Sequence, residues 1–215
     1  MRIAVITGGP IYPEASFIAR SADSVYCADS GIDYCLANGI KPDMFFGDCD
    51  SISEEGLHYL GKSDIPQKLF SSDKDKTDTE LALDECPDGS SIDLICSLEG
   101  RIDHVLANLG LLFRYKEAGY DITATDGVTD VIPVIGGNSV ALQGVSDGDI
   151  AVSLIPFAGS KVTGVTTEGL MYKLTDAEIY PTSSLTVSNK VDPGSDAIKV
   201  SIKEGRLLLV LTKAV

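Results

Sequence analysis

The segment MFFGDCDSISEE at residues 44–55 joins the end of a short apolar run to two closely spaced carboxylates. Its apolar start predicts a buried strand, and Gly47 allows a sharp turn where a side chain would clash. Asp48 and Asp50 follow at once, and carboxylates this close repel each other unless a cation lies between them. Hard oxygen ligands favour Mg²⁺ or Ca²⁺. The segment therefore indicates a metal site, with an Asp-rich surface turn as the structural alternative.

Around this segment, short apolar runs alternate with helical patterns as far as Gly127. Strands are predicted at residues 2–7, 24–28, 44–46, 67–70, 93–97 and 121–125. Helices are predicted at residues 14–20, 32–38, 54–62, 78–86 and 103–118. Gly39 and Gly119 stand where glycines end helices, and Thr77 followed by Glu80 has capping-box spacing. The alternation predicts a mostly parallel α/β sheet covered by helices on both faces.

The helical periodicity disappears after Gly127. Short runs rich in Val, Ile, Leu and Thr recur at residues 131–135, 139–142, 150–155, 161–166, 185–187, 197–202 and 206–212. This spacing, with glycine-containing turns between the runs, predicts an antiparallel sandwich or barrel. We therefore expect an N-terminal α/β domain at residues 1–127 and a C-terminal all-β sandwich domain at residues 128–215.

The charge balance restricts the class of partner. The 215 residues include 32 Asp and Glu against 17 Lys and Arg, which gives a formal net charge of −15. Such a chain repels the phosphates of DNA and RNA, so we expect no nucleic-acid partner. A polyphosphate ligand is compatible with this charge if metal ions neutralise it locally, and a cationic small molecule would be attracted.

The sequence also indicates the compartment. No apolar run approaches the roughly 18 residues of a membrane span, so we expect no membrane contact. The N-terminus reads as a first core strand and not as a secretion signal. The five cysteines are odd in number and lack CxxC spacing, which argues against a disulfide framework or a zinc site. We therefore expect free thiols and a cytoplasmic protein.

Charged residues follow four successive predicted strands of the first domain. They are Asp29 after the second strand, Asp48 and Asp50 after the third, Asp73, Asp75 and Asp78 after the fourth, and Arg101 with Asp103 after the fifth. Ligands bind outside the carboxyl ends of strands in open α/β sheets. Phosphoryl transfer needs carboxylates that hold Mg²⁺ and a nearby arginine that can donate two hydrogen bonds to a phosphate.

Each residue in this set has a structural alternative. Asp78 could only offset the dipole of the helix that it opens, and Asp103 could be only an N-cap. His104 is better explained by a supporting or structural role than by catalysis. The turn Gly8-Gly9-Pro10 lacks the spacing of a P-loop or of a dinucleotide fingerprint, so it is a weak phosphate signal.

Several motifs, in order and spacing, resemble the thiamine pyrophosphokinase (thiamin diphosphokinase) family over nearly the whole chain. The main ones are GDCDS at residues 47–51, KDKTD at 74–78 and GRIDH at 100–104, with ADSG at 28–31, TTEGLMYKL at 166–174 and VSN at 187–189. The resemblance implies an α/β domain followed by a β-sandwich in a homodimer with active sites between subunits. It also implies a nucleotide- and metal-binding catalytic role for the first domain, and thiamine binding and dimerisation for the second.

The same resemblance implies an ATP-dependent diphosphotransferase that uses Mg²⁺ to transfer pyrophosphate from ATP to the thiamine hydroxyl, giving thiamine diphosphate and AMP. The implied metal ligands are Asp48, Asp50 and Asp78, which with Arg101 form the catalytic set. The implied ATP-binding residues are Lys74, Asp75, Thr77, Arg101 and Asp103. The implied thiamine-binding residues are Asp29, Ser188 and Asn189.

Two departures and three alternatives accompany this interpretation. Glu99 stands where the family often has a glycine, and the chain has no Trp, so Tyr172 or Tyr180 would have to stack on thiamine.

One alternative is a pyrophosphokinase of the same fold acting on another alcohol, such as 6-hydroxymethylpterin. Another is a non-catalytic nucleotide or thiamine sensor. A sugar-nucleotide transferase would use Asp48 and Asp50 but leaves the other two main motifs without a role.

Overall fold

The computed structural model describes residues 1–71, 73–145, 150–159 and 161–213. The chain forms two compact units, Met1–Gly127 and Val128–Val215. Among the described residues, no helix is long and apolar enough to cross a membrane.

The first unit alternates strands with helices. Its strands are β1 (Arg2–Ile6), β2 (Ser24–Ala28), β3 (Met44–Gly47), β4 (Gln67–Leu69), β5 (Ser91–Ile95) and β6 (Asp121–Thr125). Its helices are α1 (Ala15–Arg20), α2 (Gly31–Ala37), α3 (Glu54–Lys62), α4 (Asp78–Asp84) and α5 (Ile102–Glu117). The strands lie in the order β6-β5-β1-β2-β3-β4, and each neighbouring pair is parallel. The predicted parallel α/β fold is confirmed.

The core of this unit forms because the central strands are apolar on both faces, as parallel strands covered by helices must be. Ile3 and Ile6 in β1 are fully buried, and so is Phe45 in β3. One hydrophobic cluster joins strand side chains such as Ile6 and Phe45 to Ile32 of α2 and Leu60 of α3. This packing fixes the strand ends from which the polar loops emerge.

The helix boundaries follow the local sequence signals closely. Thr77 is the N-cap of α4, and its side-chain oxygen accepts a hydrogen bond from the backbone N–H of Glu80 at 3.2 Å, as the capping-box spacing predicts. Asp103 does not cap α5, because Arg101 is the N-cap and Asp103 lies in the first turn. The N-cap interpretation of Asp103 is therefore wrong, and its carboxylate is left to interact elsewhere.

The second unit is all-β. Its strands are β7 (Thr129–Ile135), β8 (Ser139–Gln143), β9 (Ile150–Pro156), β10 (Val162–Glu168), β11 (Ala177–Ile179), β12 (Asn189–Lys190), β13 (Ala197–Ser201) and β14 (Arg206–Lys213). The order β12-β9-β14-β7 forms one antiparallel layer, and β11-β10-β13-β8 forms the other. One core cluster includes Leu154 and Leu209 from the first layer and Val165 and Val200 from the second. The predicted sandwich is confirmed.

The prediction of a strand at residues 185–187 is wrong. Leu185 and Val187 are 77% and 48% exposed, and the backbone N–H of Val187 donates to the carbonyl of Ser184 in a turn. The intervening Thr186 is the buried residue, and its hydroxyl donates to the carbonyl of Leu154 at 2.6 Å. The apolar residues here point to solvent, so their hydrophobicity does not signal a strand. The short strands β11 and β12 were not predicted.

We expect Leu112→Ala to lower the free energy of unfolding by about 2–5 kcal/mol, because it leaves a cavity in a packed core. Leu112 in α5 is fully buried, whereas Leu106 in the same helix is 51% exposed. The matched control Leu106→Ala should therefore cost less than about 1 kcal/mol. Urea denaturation followed by far-UV circular dichroism measures both effects, and equal losses would contradict the placement of α5.

Candidate active site

The first unit contains a cleft of about 500 Å³ at the carboxyl ends of its strands. The loops after β1, β2, β3 and β5 line it, together with the first turns of α4 and α5. Six of the residues selected from the sequence line this cleft: Asp29, Asp48, Asp50, Thr77, Asp78 and Arg101. The fold thus brings together side chains that lie up to about 70 positions apart in the sequence, as the rule for open α/β sheets predicts.

Three carboxylates converge in the cleft. Asp29, Asp48 and Asp50 each offer an oxygen atom within 4.8 Å of the others. The hydroxyl of Ser51 donates to Asp29 Oδ2. Among the described residues, Asp29 Oδ1 is a buried side-chain atom without a hydrogen-bond partner. Because an unpaired buried carboxylate oxygen is unfavourable, this trio suits a divalent cation with hard oxygen ligands, such as Mg²⁺.

The protonation properties of two members follow from this crowding. The backbone N–H of Asp50 donates to Asp48 Oδ1 at 3.2 Å, and this bond, assisted by Lys74, lowers the pKa of Asp48 despite partial desolvation. The nearby charge of Asp48 raises the pKa of Asp50. The pKa values of Asp48 and Asp50 are therefore shifted in opposite directions, and a bound cation would relieve the repulsion between the two carboxylates.

Lys74 connects the trio to Asp78. Its Nζ lies 2.8 Å from Asp78 Oδ1 and 3.3 Å from Asp48 Oδ2. Desolvation alone would lower the pKa of Lys74, but the hydrogen bonds and charges of Asp78 and Asp48 outweigh it and raise the pKa. Two of the expected metal ligands, Asp48 and Asp50, thus belong to the close trio. The third expected ligand, Asp78, contacts Lys74, and Asp29 completes the trio in its place.

The backbone explains why Asp29 can reach the aspartates after β3. The backbone N–H of Asp29 donates to the carbonyl of Phe46 at 2.8 Å. A Cβ atom on Gly47 would lie 3.3 Å from the N and Cα atoms of Asp29, so glycine permits this close approach. Asp29 and Cys49 both have left-handed backbones, with φ of +49° and +67°. Such conformations are uncommon outside glycine and concentrate at functional sites.

Arg101 also lines the cleft. Its Nη2 is 2.6 Å from Asp103 Oδ2, and its Nε is 3.3 Å from Oδ1. Both side chains are exposed, and the hydrogen bonds from the guanidinium lower the pKa of Asp103 to about 2. Asp103 itself is not among the residues that line the cleft. The two hydrogen bonds to Asp103 orient the guanidinium of Arg101 and leave it accessible to an anion.

The remaining residues of the expected nucleotide set differ in position. Thr77 lines the cleft and also caps α4. Asp75 is exposed and does not line the cleft. His104, Val105 and Asn108 do line it, although the sequence interpretation gave none of them a binding role. Their spacing from Arg101 by three, four and seven positions along one helix face is the signal that identifies them.

In the second unit, the two expected thiamine-binding residues are adjacent but differently held. Ser188 is exposed, has a left-handed backbone with φ of +58°, and donates its N–H to Ser153 Oγ at 2.9 Å. Asn189 Oδ1 accepts the N–H of Tyr172 at 3.1 Å, and its Nδ2 donates to the carbonyl of Tyr172 at 2.8 Å. Asn189 therefore fixes the backbone that presents the exposed Tyr172 ring.

Comparison with known families assigns both units. Residues 16–124 match the model "Thiamin pyrophosphokinase, catalytic domain". Residues 145–207 match "Thiamin pyrophosphokinase, vitamin B1 binding domain".

Individual relatives agree with the family models. The chain is similar to the thiamine pyrophosphokinase of Bacillus subtilis, with 28% identity over 202 residues that cover 88% of this chain and 89% of the relative. It is 29% identical to thiamine pyrophosphokinase 1 of Arabidopsis thaliana over 75% of this chain and 65% of the relative.

Solved structures give the same picture for the fold. The Bacillus subtilis thiamine pyrophosphokinase structure matches with a TM-score of 0.85 and 25% identity over the full length of both chains. The thiamin pyrophosphokinase structure from Candida albicans, at 14% identity, matches with a TM-score of 0.81 over 99% of this chain and 89% of that chain, which supports the fold alone.

We expect Asp29→Asn to weaken Mg²⁺ binding by at least about tenfold, because even residues that only support a metal ligand change affinity on this scale. Isothermal titration calorimetry with Mg²⁺ alone measures the effect. Asp73→Asn is the matched control, since Asp73 is exposed and outside the cleft. Equal affinity in the two variants would remove Asp29 from the cation site.

Proposed function

Because the chain belongs to the thiamin pyrophosphokinase family, we propose that it transfers the pyrophosphoryl group of ATP to the hydroxyl of thiamine, giving thiamine diphosphate and AMP. The observation that carries this proposal is the carboxylate trio, with its unpaired Asp29 oxygen, in the same cleft as an accessible Arg101. A polyphosphate needs both its charge neutralised and its oxygens oriented.

We propose Asp29, Asp48 and Asp50 as the residues that hold Mg²⁺. This gives Asp29 a metal-binding role in place of the thiamine contact that the family resemblance implies. Asp78 stays in the proposed metal set, since Lys74 contacts its carboxylate and that of Asp48. When bound, Mg²⁺ supplies neutralisation of the charge on the transferred group.

The protein side chains have the task of positioning the reactants. Arg101, oriented by Asp103, can fork onto phosphate oxygens, and the ammonium of Lys74 offsets negative charge near the trio. The thiamine hydroxyl attacks the β-phosphorus in line, the bond from that phosphorus to the α–β bridging oxygen breaks, and AMP leaves. One carboxylate of the cleft accepts the hydroxyl proton.

Thiamine is a cation, so a chain with a net charge of −15 and an acidic cleft attracts it. We propose that Ser188 and Asn189 contribute to its binding, with Tyr172 as the stacking ring. The proposal includes a homodimer with active sites between subunits. It also includes a cytoplasmic location, which the five free cysteines support.

The direct test incubates the protein with ATP and thiamine, with and without Mg²⁺, and identifies the products by mass spectrometry. We expect equimolar AMP and thiamine diphosphate only when Mg²⁺ is present. Substituting 6-hydroxymethylpterin for thiamine should give no AMP. Release of ADP in place of AMP, or AMP formation with the pterin alone, would refute the proposed reaction.

We expect Asp50→Asn to lower kcat by at least about a hundredfold, the scale for losing a group that stabilises transition-state charge. Steady-state AMP release measures kcat, and Asp73→Asn should retain activity within about twofold. Circular dichroism confirms that both variants fold. Near-normal turnover of folded Asp50→Asn would count against its assignment to the metal site.

A further inference from the structure

Residues 48–53 connect β3 to α3 and carry Asp48 and Asp50, and we call this segment the acidic loop. The loop has neither helix nor strand structure. Its start is fixed to the sheet, because the carbonyl of Gly47 accepts the N–H of Phe70 at 3.1 Å. The charge of Asp48 acts on Asp50 and the two repel each other. The loop therefore needs its far end fixed as well if the two carboxylates are to stay close together.

Ser53 forms the far end of the acidic loop and is the N-cap of α3. Its Oγ accepts the backbone N–H of Gly56 at 3.0 Å. Both hydrogen-bond donors of Ser53 are directed to one carboxylate, that of Asp33. The backbone N–H donates to Asp33 Oδ2 at 3.1 Å, and the hydroxyl donates to Oδ1 at 2.5 Å. Hydrogen bonds to a carboxylate are stronger than those between neutral groups, so Asp33 holds the end of the loop firmly.

Asp33 belongs to a well-anchored part of the fold. It lies in the first turn of α2, and its neighbours Ile32 and Cys35 are fully buried. The helix packs against β1 and β2. Asp33 is not among the described residues that line the cleft. Any influence of Asp33 on a ligand in the cleft therefore passes through Ser53 and the acidic loop.

The contact between α2 and the end of the loop is tight. A Cβ atom on Gly56 would lie 2.6 Å from Asp33 Oδ1 and 2.6 Å from Cγ2 of Ile52. Ile52 is 9% exposed and belongs to the same hydrophobic cluster as Ile32. The end of the acidic loop is thus held by a polar contact at Ser53 and by an apolar contact at the residue before it.

The segment after β2 contacts the acidic loop at a second position. The hydroxyl of Ser51 donates to Asp29 Oδ2, and Asp29 lies four residues before Asp33. Two carboxylates from one segment therefore accept hydrogen bonds from Ser51 and Ser53. The first of these contacts involves a member of the trio, whereas the second lies outside the cleft.

We infer that Asp33 is a positioning residue, which holds Ser53 so that Asp48 and Asp50 stay close to Asp29 and a divalent ion meets a preformed set of ligands. This inference rests on the proposed function, because it takes the trio as the cation site. If Asp33 is removed, the loop is free to relieve the repulsion between its carboxylates. The ion must then order the loop as it binds, and this ordering cost lowers its affinity.

The test measures Mg²⁺ binding to the full chain by isothermal titration calorimetry, with Mg²⁺ as the only probe. We expect Asp33→Ala to weaken binding by about tenfold or more, the scale for residues that support metal ligands. Asp33→Asn makes the same change in charge, but its amide can accept the N–H of Ser53 and donate to its Oγ. It should therefore stay within about threefold of wild type, the range of one hydrogen bond.

Asp43→Ala is the matched control. Asp43 Oδ2 accepts the backbone N–H of Val25 at 2.8 Å, and Asp43 precedes β3 at the end of the strand opposite the acidic loop. The control loses a carboxylate that holds a backbone N–H, but we expect it to bind Mg²⁺ within about twofold of wild type. Equal Mg²⁺ affinity in Asp33→Ala and Asp43→Ala would overturn the inference. Equal losses in Asp33→Ala and Asp33→Asn would also overturn it, because charge and not position would then be responsible.

A pair of glycine variants keeps the inference testable if Asp33→Ala fails to fold. Gly56→Ala removes no charge, but its methyl group displaces Asp33 and Ile52. Among the described residues, no atom lies within 4 Å of a Cβ built on Gly61 in the same helix. We expect Gly56→Ala to weaken Mg²⁺ binding by at least about threefold and Gly61→Ala to leave it unchanged. Identical affinities in this pair would contradict the positioning role.

Steady-state AMP release provides the second readout. In Asp33→Ala, the Mg²⁺ concentration that gives half-maximal activity should rise in proportion to the calorimetric Kd, while kcat at saturating Mg²⁺ stays within about threefold of wild type. The proposed function fails by a different measurement. Wild-type protein that shows the expected pattern of Mg²⁺ affinities but forms no AMP from ATP and thiamine would retain the role of Asp33 and refute the transfer reaction. Normal transfer with unaltered Mg²⁺ affinity in Asp33→Ala would retain the reaction and refute that role.

Discussion

The crowding of three carboxylates is the electrostatic constraint that the first unit has to accommodate. Asp29, Asp48 and Asp50 come from two loops, and each would be more easily accommodated alone. The fold brings them together because buried strands β2 and β3 end side by side and because Gly47 leaves room for the backbone of Asp29. The apolar core that anchors these strands offsets the electrostatic cost, so the scaffold holds an arrangement that the charged groups themselves oppose.

The lining of the cleft combines two kinds of surface. Charged side chains form one part of it, among them Asp48, Asp50 and Arg101. The turn Gly8-Gly9-Pro10 and Asn108 belong to an uncharged part. In the proposed reaction, the charged part would act on the phosphates of the nucleotide once a cation neutralises the carboxylates.

Much of the fold could be predicted from the sequence, because each structural layer has its own periodicity. Strand-helix alternation up to Gly127 and the recurring short apolar runs after it predict the parallel sheet and the sandwich. The error at residues 185–187 arose because Leu185 and Val187 are apolar yet exposed. The strand-end rule also predicted that Asp29, Asp48, Asp50, Asp78 and Arg101 lie at one edge of the sheet, and all five line one cleft, whereas Asp73, Asp75 and Asp103 do not. It could not show that Asp29, and not Asp78, completes the close trio, because that depends on backbone conformation and on the contacts of Lys74.

The ammonium group of Lys74 gives the acidic cluster a resident counter-ion. Because its Nζ contacts both Asp48 and Asp78, it offsets part of their negative charge. At the metal site that we propose, the same ammonium group would compete with a divalent ion for Asp48. This competition would weaken the hold of the carboxylates on the ion and so favour its release together with a phosphate-bearing product.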